Sequence, residues 1–305
     1  MKFPLSKYIW FDGKLVPVNM AKVPVTTHAI HYGTSIFEGI RAYWNSKNLH
    51  VFRLKDHVKR FRNSGKFYNI KLNFSDRQIE NAVIDLCKKN KIKKSCYIRP
   101  FYFVGQYGIN FHVTQKAPTH AAIFAFPFGD LFNKNGITAT ISKWRKFSDM
   151  STPTQAKMGG NYLNSILATQ DAKQRGFDEA ILLDQSGNVS EAPGENIFLV
   201  KNNKLVTPSL SSSALDGITR RSIITLAKDM KLKIKTQKVS KKELKMADEI
   251  FLSGTAAEIT PVIKIDKKKI GEGKVGNITK LFMDTYSNIV MNKSENYSHW
   301  LTAVY

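Results

Sequence analysis

The order of apolar and polar positions predicts short strands mixed with helices. Residues 9–18 read as a hairpin turning at Asp12-Gly13, a pair that tolerates the positive φ angles of a tight two-residue loop. Residues 55–68 place Val58, Phe61 and Phe67 on the apolar side of a predicted helix. Ser75 and Gln78 form a capping box, and Ile79, Val83, Leu86 and Cys87 follow at helical spacing. Residues 95–104 are rich in β-formers and aromatics and carry one charge, Arg99. Residues 121–128 read as an apolar strand ending at Gly129.

Residues 129–136 read as a connector between a smaller domain over 1–128 and a larger one over 137–305. The second opens with a predicted strand over 137–142. Asn161 is placed to cap a helix running to Gln174, with Gly176 just past its end. Further strands are predicted over 180–184, 196–206, 249–253 and 259–265. A helix starts near Thr219, and a last amphipathic helix covers 277–292. There is no internal repeat. Strands and helices do not alternate regularly, so the fold class is α+β rather than a doubly wound parallel sheet.

Composition narrows the classes. The chain has 305 residues, 42% of them hydrophobic and 23% charged, which excludes a disordered chain, a disulfide-stapled mini-protein and a collagen-like fibre. The net charge is +23, from 47 Lys and Arg against 24 Asp and Glu. The lysines are scattered in short runs such as Lys267-Lys268-Lys269. They describe a solvated surface that attracts small anions, and no nucleic-acid partner is expected. Cys87 and Cys96 lack metal-ligand spacing and suit buried thiols in a reducing cytoplasm. The first residues lack the apolar run of a signal peptide, and no stretch approaches the ~18 apolar residues of a membrane span. A cytoplasmic location without a membrane partner is the expectation.

The usual phosphate-loop, His-Glu-x-x-His and Cys-x-x-Cys motifs are absent, and no metal site is expected. Gly271, Gly273 and Gly276 fit the dinucleotide pattern, but no convincing strand follows the next helix, so a tight surface loop is the better reading. A different constellation stands out. Lys157 precedes Gly159 and Gly160, where two glycines allow close approach of a flat ligand. Glu191 and Glu195 flank a Pro193-Gly194 turn before an apolar strand, placing a carboxylate where a ring nitrogen could meet it. The loop 211–217 feeds a helix N-terminus, a natural phosphate cradle. Ser253-Gly254-Thr255-Ala256 follows another strand and suits an anion-binding turn. An amine, an acid and anion cradles are the parts that pyridoxal phosphate needs.

In this order the motifs resemble the fold-type IV pyridoxal-phosphate enzymes, and most closely the branched-chain amino acid aminotransferases. The resemblance rests on Tyr32 to Arg41, Val51 to Leu54 with Arg60, Tyr97 to Pro100, Lys157 to Tyr162, Ser190 to Phe198, Ser212 to Arg220 and Ser253 to Val262. It implies two α+β domains with pyridoxal 5′-phosphate between them. It makes Lys157 the Schiff-base lysine, Glu191 the partner of the pyridine nitrogen and Tyr162 the partner of the ring's phenolic oxygen. Arg60, Leu215, Ile218, Thr219 and Thr255 would receive the phosphate. Thr255 and Ala256 would bind the substrate carboxylate, Tyr32, Phe37 and Gly39 would line the side-chain pocket, and Tyr97 and Arg99 would join the substrate side. Arg99, alone among aromatics, is the candidate reader of glutamate's distal carboxylate.

The activity implied is transamination of L-leucine, L-isoleucine and L-valine with 2-oxoglutarate, in a homodimer or higher homo-oligomer. The alternatives of the same fold type are a D-amino acid or (R)-amine transaminase and aminodeoxychorismate lyase. Tyr97 to Pro100 and Gly254 to Glu258 favour the branched-chain enzymes. The chain departs from the family pattern at Phe128, where a tryptophan is common, over Asp130 to Phe132, where a pocket tyrosine is missing, and at Ala192-Pro193.

Overall fold

The computed structural model describes residues 6–305, and they form two compact units. Residues 1–5 of the N-terminal stretch read above for a signal peptide lie outside the described residues. The first unit runs to Gly129 and also takes in Ala156–Gly160 and Asn288–Tyr305; the second holds Asp130–Gln155 and Asn161–Ser287. The predicted second domain runs unbroken from 137 to 305. The observed units differ because two later stretches return to the first. Leu301–Ala303 pairs antiparallel with Leu49–Phe52, and Met158 bridges to Ile36.

The sheet of the first unit is antiparallel throughout. Its order is Leu301–Ala303, Leu49–Phe52, Ile40–Trp44, Cys96–Val104, Thr119–Pro127, Tyr8–Phe11 and Lys14–Pro17, with Ser35–Phe37 added to Cys96–Val104. The hairpin predicted at Asp12-Gly13 is present, with both residues at positive φ. The capping box at Ser75 starts the helix Asp76–Lys89, and Ile79, Val83, Leu86 and Cys87 are all buried. The other predicted helix is observed as Leu54–Lys66, with Val58 and Phe61 buried; Phe67 lies past its end and is half exposed, so it is not part of the packed face. Cys87 and Cys96 are buried free thiols.

The sheet of the second unit is mixed. Its order is Ile234–Gln237, Lys204–Pro208, Asn196–Lys201, Glu249–Gly254, Glu258–Ile265, Ile137–Arg145 and Glu179–Leu183, and three of its pairings are parallel. The single strand predicted over 196–206 is a hairpin, because Asn202 and Asn203 both adopt positive φ and turn the chain. Asn161 stands at the start of the helix Tyr162–Gln174 but makes no side-chain cap; its Oδ1 accepts from the Thr152 hydroxyl at 3.1 Å. Residues 271–276 are a run of turns ahead of the helix Asn277–Val290. With one antiparallel and one mixed sheet, the fold is α+β. No helix among the described residues is long and apolar enough to cross a membrane.

The helix Leu54–Lys66 is seated by its contact with the strand Cys96–Val104. Phe61 meets Tyr102 edge-on at 4.7 Å between centroids, and the Tyr102 hydroxyl donates to the Phe61 carbonyl oxygen at 3.3 Å. Gly65 lets Tyr102 approach: a Cβ there would overlap the hydroxyl and lie 2.6 Å from the Ile70 carbonyl oxygen. Alanine is ordinarily preferred over glycine in a helix by about 1 kcal/mol, but overpacking costs about 1–3 kcal/mol. Gly65→Ala is therefore expected to lower the urea unfolding midpoint; a raised midpoint would show that Tyr102 yields freely.

Candidate functional site

In the first unit, the helix Leu54–Lys66 spaces His57, Arg60 and Ser64 three and four residues apart, so they form one stripe. Two of the three meet Glu38, which is fully buried. Arg60 donates from Nε to one Glu38 oxygen at 2.6 Å and from Nη2 to the other at 2.9 Å. His57 Nδ1 lies 2.8 Å from the second oxygen. Burial by itself raises the Glu38 carboxyl, but the Arg60 charge and the His57 hydrogen bond outweigh it and hold the group well below the usual carboxylate range. Burial pushes His57 below its ordinary value, which keeps it neutral near pH 7 with Nδ1–H as the donor.

The third member, Ser64, holds Lys157. The Lys157 N–H donates to Ser64 Oγ at 3.0 Å, and the Lys157 carbonyl oxygen accepts from the Phe37 N–H at 3.1 Å. The Lys157 Nζ sits 4.7 Å from the centre of the Phe37 ring. A Cβ at Gly159 would overlap the Ser35 hydroxyl. Gly159 thus lets the Ser35 hydroxyl approach the backbone beside Lys157.

The same Phe37 ring carries the Arg99 guanidinium at 4.6 Å. Arg99 Nη2 donates to the Tyr97 hydroxyl at 3.1 Å, while its Nε is buried without a hydrogen-bond partner. Gly39 makes room for that hydroxyl, since any Cβ there would overlap it. The Tyr97 ring meets Phe126 and Phe128, each at 5.5 Å. Phe128 in turn lies 5.2 Å from the Arg41 guanidinium. Phe37, Gly39, Tyr97, Arg99 and Lys157 therefore come together as named from the sequence. Tyr32 packs elsewhere, on His28, His31 and Phe111. Of the departing stretch, Asp130 pairs with Lys134 at 2.9 Å, Leu131 is half exposed and Phe132 packs on the core of the second unit.

In the second unit the focus is Glu191, which is 5% exposed. One oxygen accepts from Asn196 Nδ2 at 3.1 Å and from the Leu215 N–H at 2.9 Å; the other pairs with Lys146 Nζ at 2.6 Å. Asn196 Nδ2 also donates to the Leu215 carbonyl oxygen at 2.8 Å. Gln155 braces the same loop, donating to the Ala214 carbonyl oxygen and accepting from the Asp216 N–H. The helix Ile218–Asp229 follows, with Gly217 at its cap position and no side-chain cap bond. A Cβ at Gly217 would overlap Asn196 Oδ1. Ile218 and Thr219 are buried in the first helical turn, and Leu215 is partly buried in the loop before it. Thr255 and Ala256 are partly buried in the turn after the strand Glu249–Gly254, and the Ser253 hydroxyl at its entrance is buried without a partner. Tyr162 is half-buried on the first turn of its helix.

This donor set fits pyridoxal phosphate. Glu191 is buried and fixed by three donors, as a partner for a cationic ring nitrogen requires. The uncapped helix start at Gly217 and the unpartnered Ser253 hydroxyl suit a phosphate or carboxylate. Glu38, His57, Ser64, Lys146, Gln155 and Asn196 were not singled out from the sequence. For the helical stripe a signal existed in the three- and four-residue spacing; for Lys146 and Gln155 there was none, because their partners are distant in sequence, while Asn196 lies five residues from Glu191 with no pattern that marks it as the donor.

Residues 35–265 match the sequence model of the amino-transferase class IV family. The chain is 41% identical to a probable branched-chain-amino-acid aminotransferase of Aquifex aeolicus, over 98% of this chain and 97% of the relative. Among solved structures it is similar to the branched-chain amino acid aminotransferase of Escherichia coli, with a TM-score of 0.95 at 42% identity, covering 98% of this chain and 100% of that one. It is also similar to the branched-chain amino acid aminotransferase from Thermobaculum terrenum in its PLP-form, with a TM-score of 0.93 at 33% identity, covering 99% of each chain.

Asn196→Ala deletes the donor shared by Glu191 and the Leu215 carbonyl oxygen. Leaving buried acceptors unsatisfied costs about 1–3 kcal/mol. The unfolding free energy of the cofactor-free protein in urea should fall by that amount; no change would mean that Lys146 and the Leu215 N–H suffice to hold Glu191.

Proposed function

The chain belongs to the amino-transferase class IV family and is a transaminase, and from that premise we propose that it exchanges the amino group of L-leucine, L-isoleucine and L-valine with 2-oxoglutarate. The products are branched 2-oxo acids and L-glutamate, and the cofactor is pyridoxal 5′-phosphate. The observation that carries this reading is the Phe37 ring, which has an amine on it from Lys157 at 4.7 Å and a guanidinium from Arg99 at 4.6 Å. One apolar surface thus serves a branched side chain, with a proton carrier and a carboxylate reader beside it.

Bound, pyridoxal phosphate supplies an electrophilic carbonyl carbon and an electron-accepting ring. Lys157 would hold it covalently. Its amine, once released, would carry the substrate's Cα proton as general base and return it as general acid. Glu191 would keep the ring nitrogen protonated, and Tyr162 would orient the phenolic oxygen. Arg60, Leu215, Ile218, Thr219 and Thr255 would receive the phosphate. Thr255 and Ala256 would take the substrate carboxylate, and Phe37, Gly39 and Tyr97 would shape the side-chain pocket. Phe128, where the family commonly has a tryptophan, packs on Tyr97 and would border that pocket. The exposure of Val25 (86%), Ile109 (80%) and Phe111 (80%) supports a homodimer or higher homo-oligomer. The free thiols of Cys87 and Cys96 suit the cytoplasm.

Lys157→Ala removes both the anchor and the proton carrier. General acid–base assistance alone is worth about 10²–10⁴-fold, so steady-state turnover with L-leucine should fall at least that far. Near-normal turnover would reject the assignment.

Arg99→Met tests the dual pocket. A charge-assisted hydrogen bond is worth ~1.5–3 kcal/mol, or roughly tenfold to a hundredfold. Single-turnover kinetics should show that loss for L-glutamate and little for L-leucine. Equal losses would mean that Arg99 only holds Tyr97 and Phe37 in place.

A further inference from the structure

We propose that Glu38 is a positioning residue for the cofactor's phosphate, acting through Arg60. The proposal rests on the reading of Arg60 as a phosphate ligand. A carboxylate buried as completely as Glu38 is expensive unless paired, and a buried ion pair adds little stability over apolar packing. What such a pair supplies is direction. Glu38 engages Arg60 through two nitrogens, Nε at 2.6 Å and Nη2 at 2.9 Å, which fixes the plane of the guanidinium as well as its place. His57, neutral and fully buried, donates to one of the same oxygens, so the carboxylate cannot rotate away.

The helical stripe adds a second consequence. His57 and Arg60 meet Glu38, and Ser64, one turn on, receives the Lys157 N–H at 3.0 Å. One helix therefore carries the arm that would meet the phosphate and a support of the lysine that would meet the carbonyl carbon. Glu38 locks the first against that helix.

Simple electrostatics makes the opposite prediction. A carboxylate near a phosphate site repels the phosphate, and deleting it leaves Arg60 with its full charge, so binding should tighten. If Glu38 positions Arg60, deleting it weakens binding. The sign of the effect decides between them.

The test uses the full chain stripped of cofactor, titrated with pyridoxal phosphate and, separately, with pyridoxal, and followed by tryptophan fluorescence. Glu38→Gln is expected to weaken pyridoxal phosphate binding by about tenfold to a hundredfold, the equivalent of a lost charge-assisted hydrogen bond. Pyridoxal, lacking the phosphate, should change by less than roughly twofold. In an Arg60→Met background, Glu38→Gln should change pyridoxal phosphate binding by less than roughly twofold, because the residue it acts through is gone. Glu38→Asp keeps the charge but is too short to reach both nitrogens. It should still fold, with a lowered thermal midpoint, and bind pyridoxal phosphate more weakly, which covers a Glu38→Gln variant that does not fold. Unchanged or tighter binding in a folded Glu38 variant, equal losses for the two ligands, or a full loss persisting without Arg60 would each overturn the proposal. If the unmodified chain did not prefer pyridoxal phosphate to pyridoxal, the failure would lie with the reading of Arg60 instead.

Discussion

A carboxylate shut away from water must find its compensation inside the protein, and in the first unit Glu38 finds it on a single helix. The bidentate contact with Arg60 and the bond from His57 tie the residue after Phe37 to the stripe of Leu54–Lys66. That stripe also holds the Lys157 backbone through Ser64, and Phe37 closes the loop by donating to the Lys157 carbonyl oxygen. Each of these side chains is held by a partner that is itself held.

The second unit solves a similar problem with other means. Glu191 is also buried, but its donors are an amide, a backbone N–H and one lysine rather than an arginine fork. Asn196 has a further effect. It fills the space that a side chain at position 217 would need, so the helix Ile218–Asp229 begins at a glycine without a capping hydroxyl or carboxylate. The residue that fixes the acid thereby also keeps the helix start open to an outside anion.

The helices with strong local signals were legible in the sequence. Ser75 with Gln78 marked one start, and the buried positions after it kept helical spacing. The limits came where a local signal competed with a distant partner. Phe67 continued the apolar period but fell beyond the helix end, near Asn69, where the backbone turns through positive φ. Asn202-Asn203 was a turn signal hidden inside a β-rich run. Asn161 had the right side chain for a cap, but Thr152 took it. Within the site, Lys157, Glu191 and Arg99 were singled out in the sequence by their neighbours along the chain: two glycines, a Pro-Gly turn and a strand of aromatics. Glu38, Lys146 and Asn196 were not, because what marks them is a contact that the chain makes only once folded. Even Gly39, named for the pocket, owes its place to the Tyr97 hydroxyl, which no spacing along the chain reveals.

The return of the chain to its first sheet has a consequence for synthesis on the ribosome. Phe52 pairs with Leu301, roughly 250 residues later in translation. At about 5–20 residues per second, the strand Leu49–Phe52 waits on the order of ten to fifty seconds for its outer neighbour. During that interval its unpaired N–H and C=O groups form an open edge able to accept another nascent chain. Leu49, Val51 and Phe52 are buried in the finished protein, so the edge is largely apolar as well as unpaired. Until the final strand arrives, this strand is an edge at which the nascent protein can misassemble.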